Sequence, residues 1–395
     1  MCMKILMAEA LDWSGVFHVG SHVYARHFRD SDWTVGWVSH PWHPLGLIKD
    51  RLLQRDLCRR KASLWAKGGE WKEGVFSYAP MTLFPYRKGF PFNSAAGAGL
   101  SLKLGVPSLG RVLRRAGFDR VDVLWVTDPS FVGLAARDLL EHRLLVYRMA
   151  DDVLGFANMP WSIRVLEEDL LRRADFVFAT ARSLVARAGA FNDSVYYLPN
   201  AGRPRMVRPA GRDLGPLDLE LCPPPRIVYV GAMSEWFDRD LLLHCARVLS
   251  WCSFVLIGPK PAWAADLTRQ APNIHFLGAR AHEEIPEYLA GCTVGIIPFV
   301  RNRLTRSIHP LKLYEYLAAG LAVVSTDLDE VRASGAPVLL ADSASDFAAR
   351  IAETLEVRAG FRRGDVERFL ADNSWDARFA EIESVILRQL ATARQ

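Results

Sequence analysis

The stretch RIVYVGAMSEWFDRDLL, residues 226–242, contains a strand, a glycine turn and the start of a helix in close succession. Arg226–Val230 is a nearly continuous apolar run, which is typical of a strand buried on both faces of a parallel sheet. Gly231 permits a close backbone approach where this strand ends, and the helix after the Ser234–Trp236 turn exposes N–H groups at its start. The junction predicts a βα unit that can hold a ligand phosphate, although a tight turn without a ligand explains the same residues.

The same alternation of short apolar runs and helical patterns continues along most of the chain. Parallel sheets covered by helices produce this pattern. It breaks at residues 203–225, where six prolines leave neither helix nor strand periodicity and indicate a linker. The 395 residues also exceed the usual size of one hydrophobic core. We therefore predict two doubly wound, Rossmann-like α/β domains, residues 1–202 and 226–375, with an interdomain cleft and a final helix over residues 376–395.

The composition excludes several classes of protein. Half of the residues are hydrophobic and 24% are charged, which is too apolar for a disordered chain. No uninterrupted apolar run is long enough to predict a membrane-spanning helix, and MCMKILMAEALDW carries charges too early for a signal peptide. The 6 cysteines are scattered, without CxxC or metal-ligand spacing. They suggest reduced thiols of a cytoplasmic protein, and no metal site is predicted.

The segment RLTRSIHPLKLYEYLAAGLAVVST, residues 303–326, is the first candidate site. Pro310 suits the first position of a helix, where its missing N–H has little effect. Lys312 and Glu315 are three residues apart and share one helix face. The N–H groups at the helix start, Lys312 and nearby arginines including Arg306 predict a site for two phosphates, and Glu315 can accept hydrogen bonds from a ribose. An exposed Lys–Glu pair with solvated arginines explains the segment equally well.

The segment VYRMADDVLGF, residues 146–156, is the second candidate. Asp151 and Asp152 follow a predicted strand, at the edge of the sheet where ligands bind. One of these carboxylates can act as a general base. Alternatively, one of them caps the following turn, which is the commoner use of Asp.

The first strand–helix loop lies in EALDWSGVFHVGSHVYARHF, residues 9–28. This loop is polar and aromatic, faces the predicted cleft, and lacks the GK[ST] of a nucleoside-triphosphate loop. Its candidate acceptor-binding residues are Gly15, His18, Ser21 and His22. The two histidines can equally be ordinary loop and helix-start residues.

Positive charge is concentrated in the first half of the chain. Residues 1–200 carry 26 Lys and Arg against 20 Asp and Glu, a net charge of +6, whereas the remainder carries −1. Residues 42–72 combine many of these basic residues with Trp42, Trp65 and Trp71, and LFPYRKGFPF follows at 83–92. Basic and aromatic residues together predict binding of residues 42–92 to an anionic membrane. A solvated basic helix is the alternative, and no nucleic-acid motif is present to favour nucleic acid.

Several motifs in order resemble the GT-B glycosyltransferases of group 1. HPLKLYEYLAAGLAVVSTDLDEVR, residues 309–332, is similar to their donor-site signature. The resemblance extends to RADFVFATARSLV, YLPNAG, VYVGAMSEWFDRDLL, LGARAHEEIPEYLAGCTVGIIPF and NSWDARFAEIE. It implies that the first domain binds an acceptor, that the second binds a sugar nucleotide, and that the last helix returns to the first domain.

The resemblance also implies roles for single residues. Gly231 to Ser234 would lie along the diphosphate, Lys312 would neutralise it, Glu315 would hold the ribose, and the region around Arg280 and Phe299 would border the base. The implied donor-binding residues are Gly231, Ala232, Met233, Ser234, Arg280, Phe299, Arg306, His309, Lys312, Leu313 and Glu315.

The chain departs from the family at one position. Retaining members carry a Glu eight residues before the ribose-binding Glu, where this chain has Ser307. The segment Val146–Asp151 is similar to the VYR-x-x-D stretch that holds the proposed base of the inverting, xanthan-type glucuronosyltransferase. The resemblance therefore implies inversion, with Asp151 as the general base.

Together these features predict a cytoplasmic enzyme on the inner face of the plasma membrane. It would transfer a sugar from a nucleoside-diphosphate donor, a UDP-sugar such as UDP-glucuronate, to a glycan or polyprenyl-linked acceptor in exopolysaccharide synthesis, without a metal or other cofactor. Two alternatives stay open: a non-catalytic GT-B scaffold that binds sugar nucleotide or glycan, and a sugar-nucleotide epimerase or hydrolase.

Overall fold

The computed structural model describes residues 3–15, 19–48, 52–136, 139–203, 216–357 and 363–392. The chain divides into two compact units, Met1–Pro199 with Phe379–Gln395, and Asn200–Arg378. The described end of the predicted linker belongs to the second unit and contains a short helix, α7 in the numbering below, at Leu217–Glu220. Pro216 precedes this helix, Leu219 and Cys222 are buried, and Asp218 pairs with Arg280, so these contacts order a segment that lacks periodicity.

A parallel sheet with one antiparallel edge strand forms the first unit. Its described strands are β1 (Lys4–Glu9), β2 (Thr34–Ser39), β3 (Glu70–Lys72), β4 (Val75–Tyr78), β5 (Arg120–Val126), β6 (Glu141–Met149), β7 (Phe176–Ala179) and β8 (Val195–Tyr197). Their order is β3-β4-β2-β1-β5-β6-β7-β8, and β3 is the antiparallel strand. β1 lies at the centre, where Leu6 pairs with Gly36 of β2 and Leu124 of β5. The inner strands are buried along most of their length, as their apolar runs predicted, although β5 and β6 begin with the exposed residues Arg120 and Glu141.

Helices cover this sheet. They are α1 (Gly20–Asp30), α2 (Leu52–Ala66), α3 (Ala95–Lys103), α4 (Leu109–Arg115), α5 (Ile163–Arg173) and α6 (Arg182–Ala188), with 3₁₀ helices at Pro44–Ile48, Pro129–Ala135 and Val153–Gly155. The sequence pattern at residues 130–141 predicts an α-helix, whereas the structure has a 3₁₀ helix at Pro129–Ala135. Asp128 caps this 3₁₀ helix. Glu141 begins β6, whose apolar residues pair with β5.

A second parallel sheet forms the second unit. Its described strands are β9 (Arg226–Val230), β10 (Ser253–Ile257), β11 (Ile274–Gly278), β12 (Val294–Ile297), β13 (Ala322–Thr326) and β14 (Leu339–Ala341), in the order β11-β10-β9-β12-β13-β14. The remaining helices are α8 (Arg239–Val248), α9 (Ala264–Gln270), α10 (Ile285–Ala290), α11 (Arg303–Arg306), α12 (Leu311–Ala318), α13 (Asp329–Ala333), α14 (Ala344–Val357), α15 (Arg363–Asp372) and α16 (Trp375–Thr392). The chain thus folds into two parallel α/β units.

Helix α16 contributes to both units. It begins at Trp375 in the second unit, and from Phe379 onward its residues belong to the first. The Phe379 ring packs edge-on against Phe28, 4.9 Å between centroids, and Ile382 and Ile386 are fully buried. The end of this helix is therefore part of the core of the first unit.

None of the helices in the described ranges is long and apolar enough to cross a bilayer.

Candidate active site

Asp151 and Asp152 follow β6 and have different environments. The Asp152 carboxylate accepts a hydrogen bond from the Leu154 backbone N–H at 3.1 Å and pairs with Arg187, so it caps the turn. Asp151 is half-buried and forms no hydrogen bond or ion pair with any described residue. Burial raises its pKa, and Asp152 adds to this, while Arg148 opposes it. An unpaired carboxylate with a raised pKa at the carboxyl end of a strand is suited to accept a proton.

Glu9, at the end of β1, was not among the predicted residues. Its side chain is 2% exposed and accepts a hydrogen bond from Thr127 Oγ1 at 2.7 Å. Burial raises its pKa to about 7, although Thr127 and Arg148 lower it. The positive charge of Arg148 lowers the pKa of both Glu9 and Asp151 and so opposes the effect of burial on each. A charged residue that ends an otherwise apolar buried strand is the signal that could have identified Glu9.

His40 and Asp128 form a second pair at this edge of the sheet. His40 Nδ1 lies 3.2 Å from Asp128 Oδ2, and Asp128 also accepts a hydrogen bond from the Ser130 backbone N–H at 2.8 Å. Burial would raise the pKa of Asp128, but these partners hold it below its ordinary value. The His40 side chain is 35% exposed, and its Nε2 has no partner in the described ranges. The pair is 88 residues apart in sequence, so no local pattern reveals it.

The predicted acceptor-binding residues of the first loop lie mostly in the interior. Ser21 and His22 are fully buried. The His22 ring packs between Trp13 and Trp37, at centroid distances of 5.6 and 4.5 Å. Its Nδ1 accepts a hydrogen bond from the Val19 N–H at 3.2 Å. These contacts favour a structural role for His22 over direct contact with an acceptor.

The other two residues of this set are Gly15 and His18. The Gly15 backbone N–H donates to the Asp12 carbonyl at 3.0 Å, which closes a turn. His18 lies outside the described residues.

Lys312, in the first turn of α12, is an unpaired cation in the second unit. Its Nζ lies over two aromatic rings, 5.1 Å from the centroid of Tyr229 and 4.9 Å from that of Phe299. It is half-buried and makes no hydrogen bond or ion pair with any described residue. Burial lowers its pKa to about 8, while the charge of Glu315 opposes this. A half-buried ammonium held only by ring faces lacks a counter-anion, which a ligand can supply.

The backbone after β9 lies directly beside this ammonium. Gly231 has φ +134°, and a Cβ there would lie 3.6 Å from Lys312 Nζ. A Cβ on Gly258 would lie only 2.1 Å from the Gly231 carbonyl oxygen, so both positions need glycine. The Ala232 carbonyl accepts hydrogen bonds from Tyr229 Oη at 2.7 Å and Trp236 Nε1 at 3.1 Å, which fixes the turn.

Glu315 is the second unpaired charge on α12. It is half-buried, one turn beyond Lys312, and has no hydrogen-bond or ion-pair partner among the described side chains. The predicted pair of charges on one helix face is present, but neither group is neutralised by a neighbour. Because both groups are half-buried and neither forms an ion pair with a described residue, the arrangement favours a ligand-binding role over the solvated Lys–Glu pair that the sequence also allowed.

Other predicted donor-site residues have structural partners. Met233, Leu313 and His309 are buried, and the His309 ring stacks on Tyr314 at 5.7 Å. Ser234 is exposed in the turn. The Arg280 guanidinium already has partners within the protein, because it forms an ion pair with Asp218 and its Nε donates to Tyr288 Oη at 2.6 Å. Asp218 lies in the predicted linker, so its part in this cluster could not be foreseen.

Arg306 lines an open pocket of about 390 Å³ beyond the carboxyl ends of β12 and β13. Its Nε lies 3.8 Å from Asp329 Oδ2, and its side chain is exposed. The pocket is polar and is lined by Arg301, Asn302, Thr305, Arg306, Asp327, Leu328 and Asp329. Such a lining can bind sugar hydroxyls or a carboxylate.

Within the described ranges, no group of three or more His, Cys, Asp or Glu is arranged to hold a metal ion.

Comparison with known proteins finds a family match within the second unit. Residues 224–357 match the family model described as glycosyl transferases group 1. A Bacillus subtilis (strain 168) protein named for teichuronic acid biosynthesis, the glycosyltransferase TuaH, is 26% identical over 163 residues. That alignment covers 39% of this chain and 41% of TuaH, so the chain aligns with about two fifths of this relative.

Solved structures match over nearly the whole chain. Sucrose-phosphate synthase from Thermosynechococcus elongatus has a TM-score of 0.72 at 15% identity, covering 99% of this chain and 100% of that one. HepE of Anabaena, solved with UDP and glucose, has a TM-score of 0.66 at 16% identity, covering 98% and 100%. The predicted fold is confirmed: the chain has the GT-B fold, and residues 224–357 of its second unit match the model of the group 1 glycosyl transferases. The closer similarity to the xanthan-type enzyme stays a prediction.

Proposed function

We propose that this protein is a glycosyltransferase that moves a sugar from a UDP-sugar to a hydroxyl group of a glycan or lipid-linked acceptor. One observation carries the proposal. Lys312 and Glu315 lie one turn apart on α12, and Lys312 adjoins the Gly231 turn. Both side chains are half-buried, and neither has a hydrogen-bond or ion-pair partner among the described residues. A diphosphate supplies the missing anion, and ribose hydroxyls supply donors for Glu315. The group 1 family match and the likeness to HepE, which was solved with UDP, support this assignment.

The proposed reaction inverts the anomeric carbon. Asp151 takes the proton of the acceptor hydroxyl while that oxygen bonds to the anomeric carbon. The bond from this carbon to the diphosphate breaks, and its electron pair leaves with UDP. The leaving diphosphate gains negative charge in the transition state, so Lys312 stabilises it more strongly there than in the bound donor. Ser307, at the position of the Glu of retaining members, agrees with inversion.

We propose a uronic acid as the transferred sugar. The predicted similarity to a glucuronosyltransferase suggests it, and so does the name of the Bacillus subtilis relative. The pocket beside Arg301 and Arg306 is a suitable place for the carboxylate, because arginine binds carboxylates through paired N–H donors.

The acceptor is proposed to be membrane-linked, with the protein peripheral on the inner face of the plasma membrane. Part of the predicted membrane-binding stretch 42–92 is nevertheless interior. Trp42 is buried, and Lys61 is 7% exposed, with its Nζ donating to the His40 carbonyl at 2.7 Å and lying 3.2 Å from Asp12. Lys61 therefore holds the first loop in place. The exposed residues that carry membrane binding must lie elsewhere in the stretch.

A ligand panel followed by a turnover assay tests the function. UDP at 100 times its Kd should stabilise the protein by about 2.7 kcal/mol, visible as a raised unfolding temperature. UDP-glucuronate and UDP-glucose should then release UDP only when a polyprenyl-linked glycan is added. Failure of all nucleotides to stabilise the protein contradicts the proposal. Binding without turnover favours a scaffold, and donor consumption without acceptor favours an epimerase or hydrolase.

UDP binding is expected to weaken as the pH rises through about 8, the pKa of Lys312 in the free protein. Below this pH Lys312 is already charged, so the affinity is constant. Above it, binding must take up a proton because the diphosphate favours the ammonium form, and affinity falls by up to about tenfold per pH unit. Titration calorimetry in buffers of different ionisation enthalpy measures both the affinity and the proton uptake. Uridine, which lacks phosphates, is the control and should bind with little pH dependence; a flat profile for UDP contradicts the assignment.

A further inference from the structure

One surface of the first unit is basic and lacks acidic residues. No Asp or Glu occurs between Glu73 and Asp119, a stretch that contains Arg87, Lys88, Lys103, Arg111, Arg114 and Arg115. A second acid-free stretch, residues 153–166, contains Arg164. Arg164 lies 3.6 Å from Glu168, just beyond the second stretch, so most of the positive charge of this surface comes from the first stretch.

Large apolar side chains are exposed in the same two stretches. Phe90 is 89% exposed, Trp161 is 68% exposed and Leu83 is 60% exposed. Further exposed apolar residues are Leu100, Leu104, Val106, Met159 and Val165. Exposed apolar residues that stand together on a soluble unit mark an interaction site, because leaving them in water is unfavourable.

Specific contacts join the two stretches. Lys88 Nζ donates to the Ala157 carbonyl at 2.7 Å, which links the loop of Phe90 to the loop of Trp161. Tyr86 Oη lies 2.9 Å from Ser162 Oγ. Within the first stretch, the Leu83 backbone N–H donates to the Leu104 carbonyl at 3.4 Å and brings these two exposed residues together.

A small core lies beneath these contacts, formed by Tyr86, Ala98, Ile163 and Leu166. The exposed residues Leu83, Phe90, Leu104, Met159 and Trp161, which we call the apolar ridge, are thus mounted on one ordered platform.

We propose that the apolar ridge, with Arg87 and Lys103 beside it, binds the surface of an anionic lipid bilayer. This inference rests on the proposed membrane-linked acceptor and specifies the surface that reaches it. Tryptophan and phenylalanine favour the interfacial region of a bilayer, where an aromatic ring enters the headgroup layer. Basic side chains near a bilayer are attracted to anionic headgroups. A protein partner would also suit apolar residues, but the complete absence of acids across both stretches favours lipid.

The stretch around α2 is the weaker candidate for this surface. Its Lys61 is buried, and its exposed Arg59 lies 3.7 Å from Asp56. Exposed Trp71 lies on the short edge strand β3, between Glu70 and Glu73. Positive charge at α2 is thus partly compensated within the helix.

Sedimentation of the full chain with lipid vesicles tests the proposal. At low salt, binding to phosphatidylcholine vesicles with about one third phosphatidylglycerol should exceed binding to pure phosphatidylcholine at least tenfold, and added salt should remove the difference. The double variant Phe90→Ser/Trp161→Ser should lose at least tenfold in affinity. Arg87→Gln/Lys103→Gln should lose about ten- to thirtyfold, as expected for two basic residues near an anionic surface.

Matched controls separate this surface from others. Trp251→Ser removes another exposed tryptophan, in the second unit, and Arg59→Gln/Arg60→Gln removes exposed charges of α2. Both should bind vesicles like the parent chain. All variants should keep the parent unfolding temperature and UDP affinity.

Two outcomes overturn the proposal: equal binding of the parent chain to both vesicle types, or ridge variants that bind as well as the controls. Ridge variants that change the oligomeric state but not vesicle binding would assign the ridge to self-association and also overturn it. Ridge-dependent vesicle binding in a protein that binds no nucleotide would leave this inference standing and contradict the proposed function. UDP binding and turnover of a soluble glycan without vesicle binding would support the proposed glycosyltransferase function and contradict the membrane-binding inference.

Discussion

The variant Asp151→Asn is expected to lower kcat by about 10²–10⁴-fold, the range that a positioned general base contributes. Asn has nearly the shape of Asp but cannot accept the proton of the acceptor hydroxyl. UDP affinity should stay unchanged, because Asp151 belongs to the first unit and the proposed UDP-binding residues to the second. The parent rate should also fall at low pH, where Asp151 becomes protonated, at a pH above the ordinary pKa of Asp. Single-turnover release of UDP at saturating donor measures these effects.

Asp152→Asn is the matched control for this experiment. It changes the adjacent residue in the same way, but it weakens the ion pair with Arg187. Loss of one partner of a buried pair should lower the free energy of unfolding by about 1–3 kcal/mol, while kcat per folded molecule stays within a few-fold. Full activity of Asp151→Asn would contradict its role as the base. The exposed Nε2 of His40 would then be the next candidate, testable with His40→Gln.

Lys312→Met is expected to weaken UDP binding by about 30- to 1,000-fold, as removal of a charged partner from a phosphate costs about 2–4 kcal/mol. Methionine keeps the apolar contacts with the rings of Tyr229 and Phe299 but removes the positive charge. Uridine should bind the variant nearly as well as the parent, because it has no diphosphate. Glu315→Gln is the comparison variant and should weaken uridine and UDP alike. Titration calorimetry with both ligands separates the two patterns.

The same substitution should stabilise the ligand-free protein. The pKa of Lys312 is about 8 in the folded chain and ordinarily 10.5, so the folded state disfavours the charged form. At pH 7 the parent keeps this unfavourable charge, which Lys312→Met removes, and we expect a gain of about 1–3 kcal/mol. Between pH 8 and 10.5 the unfolded chain binds more protons than the folded chain, so the stability of the parent rises with pH and the gain shrinks. An unchanged or lowered unfolding temperature at pH 7 would contradict the unpaired state of Lys312.

The sequence predicts the fold well because the determining signals are local. Continuous apolar runs identify the central strands, and the run at Arg226–Val230 occupies the same residues in the structure. The spacing of Lys312 and Glu315 predicts that they share a helix face, and Pro310 predicts where that helix begins. Each of these inferences depends on residues within a few positions of one another.

The rest of the site depends on contacts between distant residues. No sequence pattern distinguishes Asp151 from Asp152, because the distinction is made by Arg187 on α6. The pairing of His40 with Asp128 is likewise a product of the sheet order, which brings the ends of separate strands to one edge. Burial is equally non-local: His22 resembled a loop residue, yet two tryptophan rings enclose it.

The position of helix α16 at the end of the sequence affects the order in which the two units can complete their folding during translation. Residues from Phe379 onward complete the core of the first unit, yet the ribosome makes them only after the whole of the second unit, Asn200–Arg378. The Trp33 indole N–H donates to Glu383 Oε1 at 3.3 Å, although the two residues are 350 positions apart in sequence. The ring contact between Phe28 and Phe379 joins residues of similar separation. Contacts of such separation form late and leave apolar surface uncovered in the meantime. The unit that is translated first is therefore the one that finishes folding second.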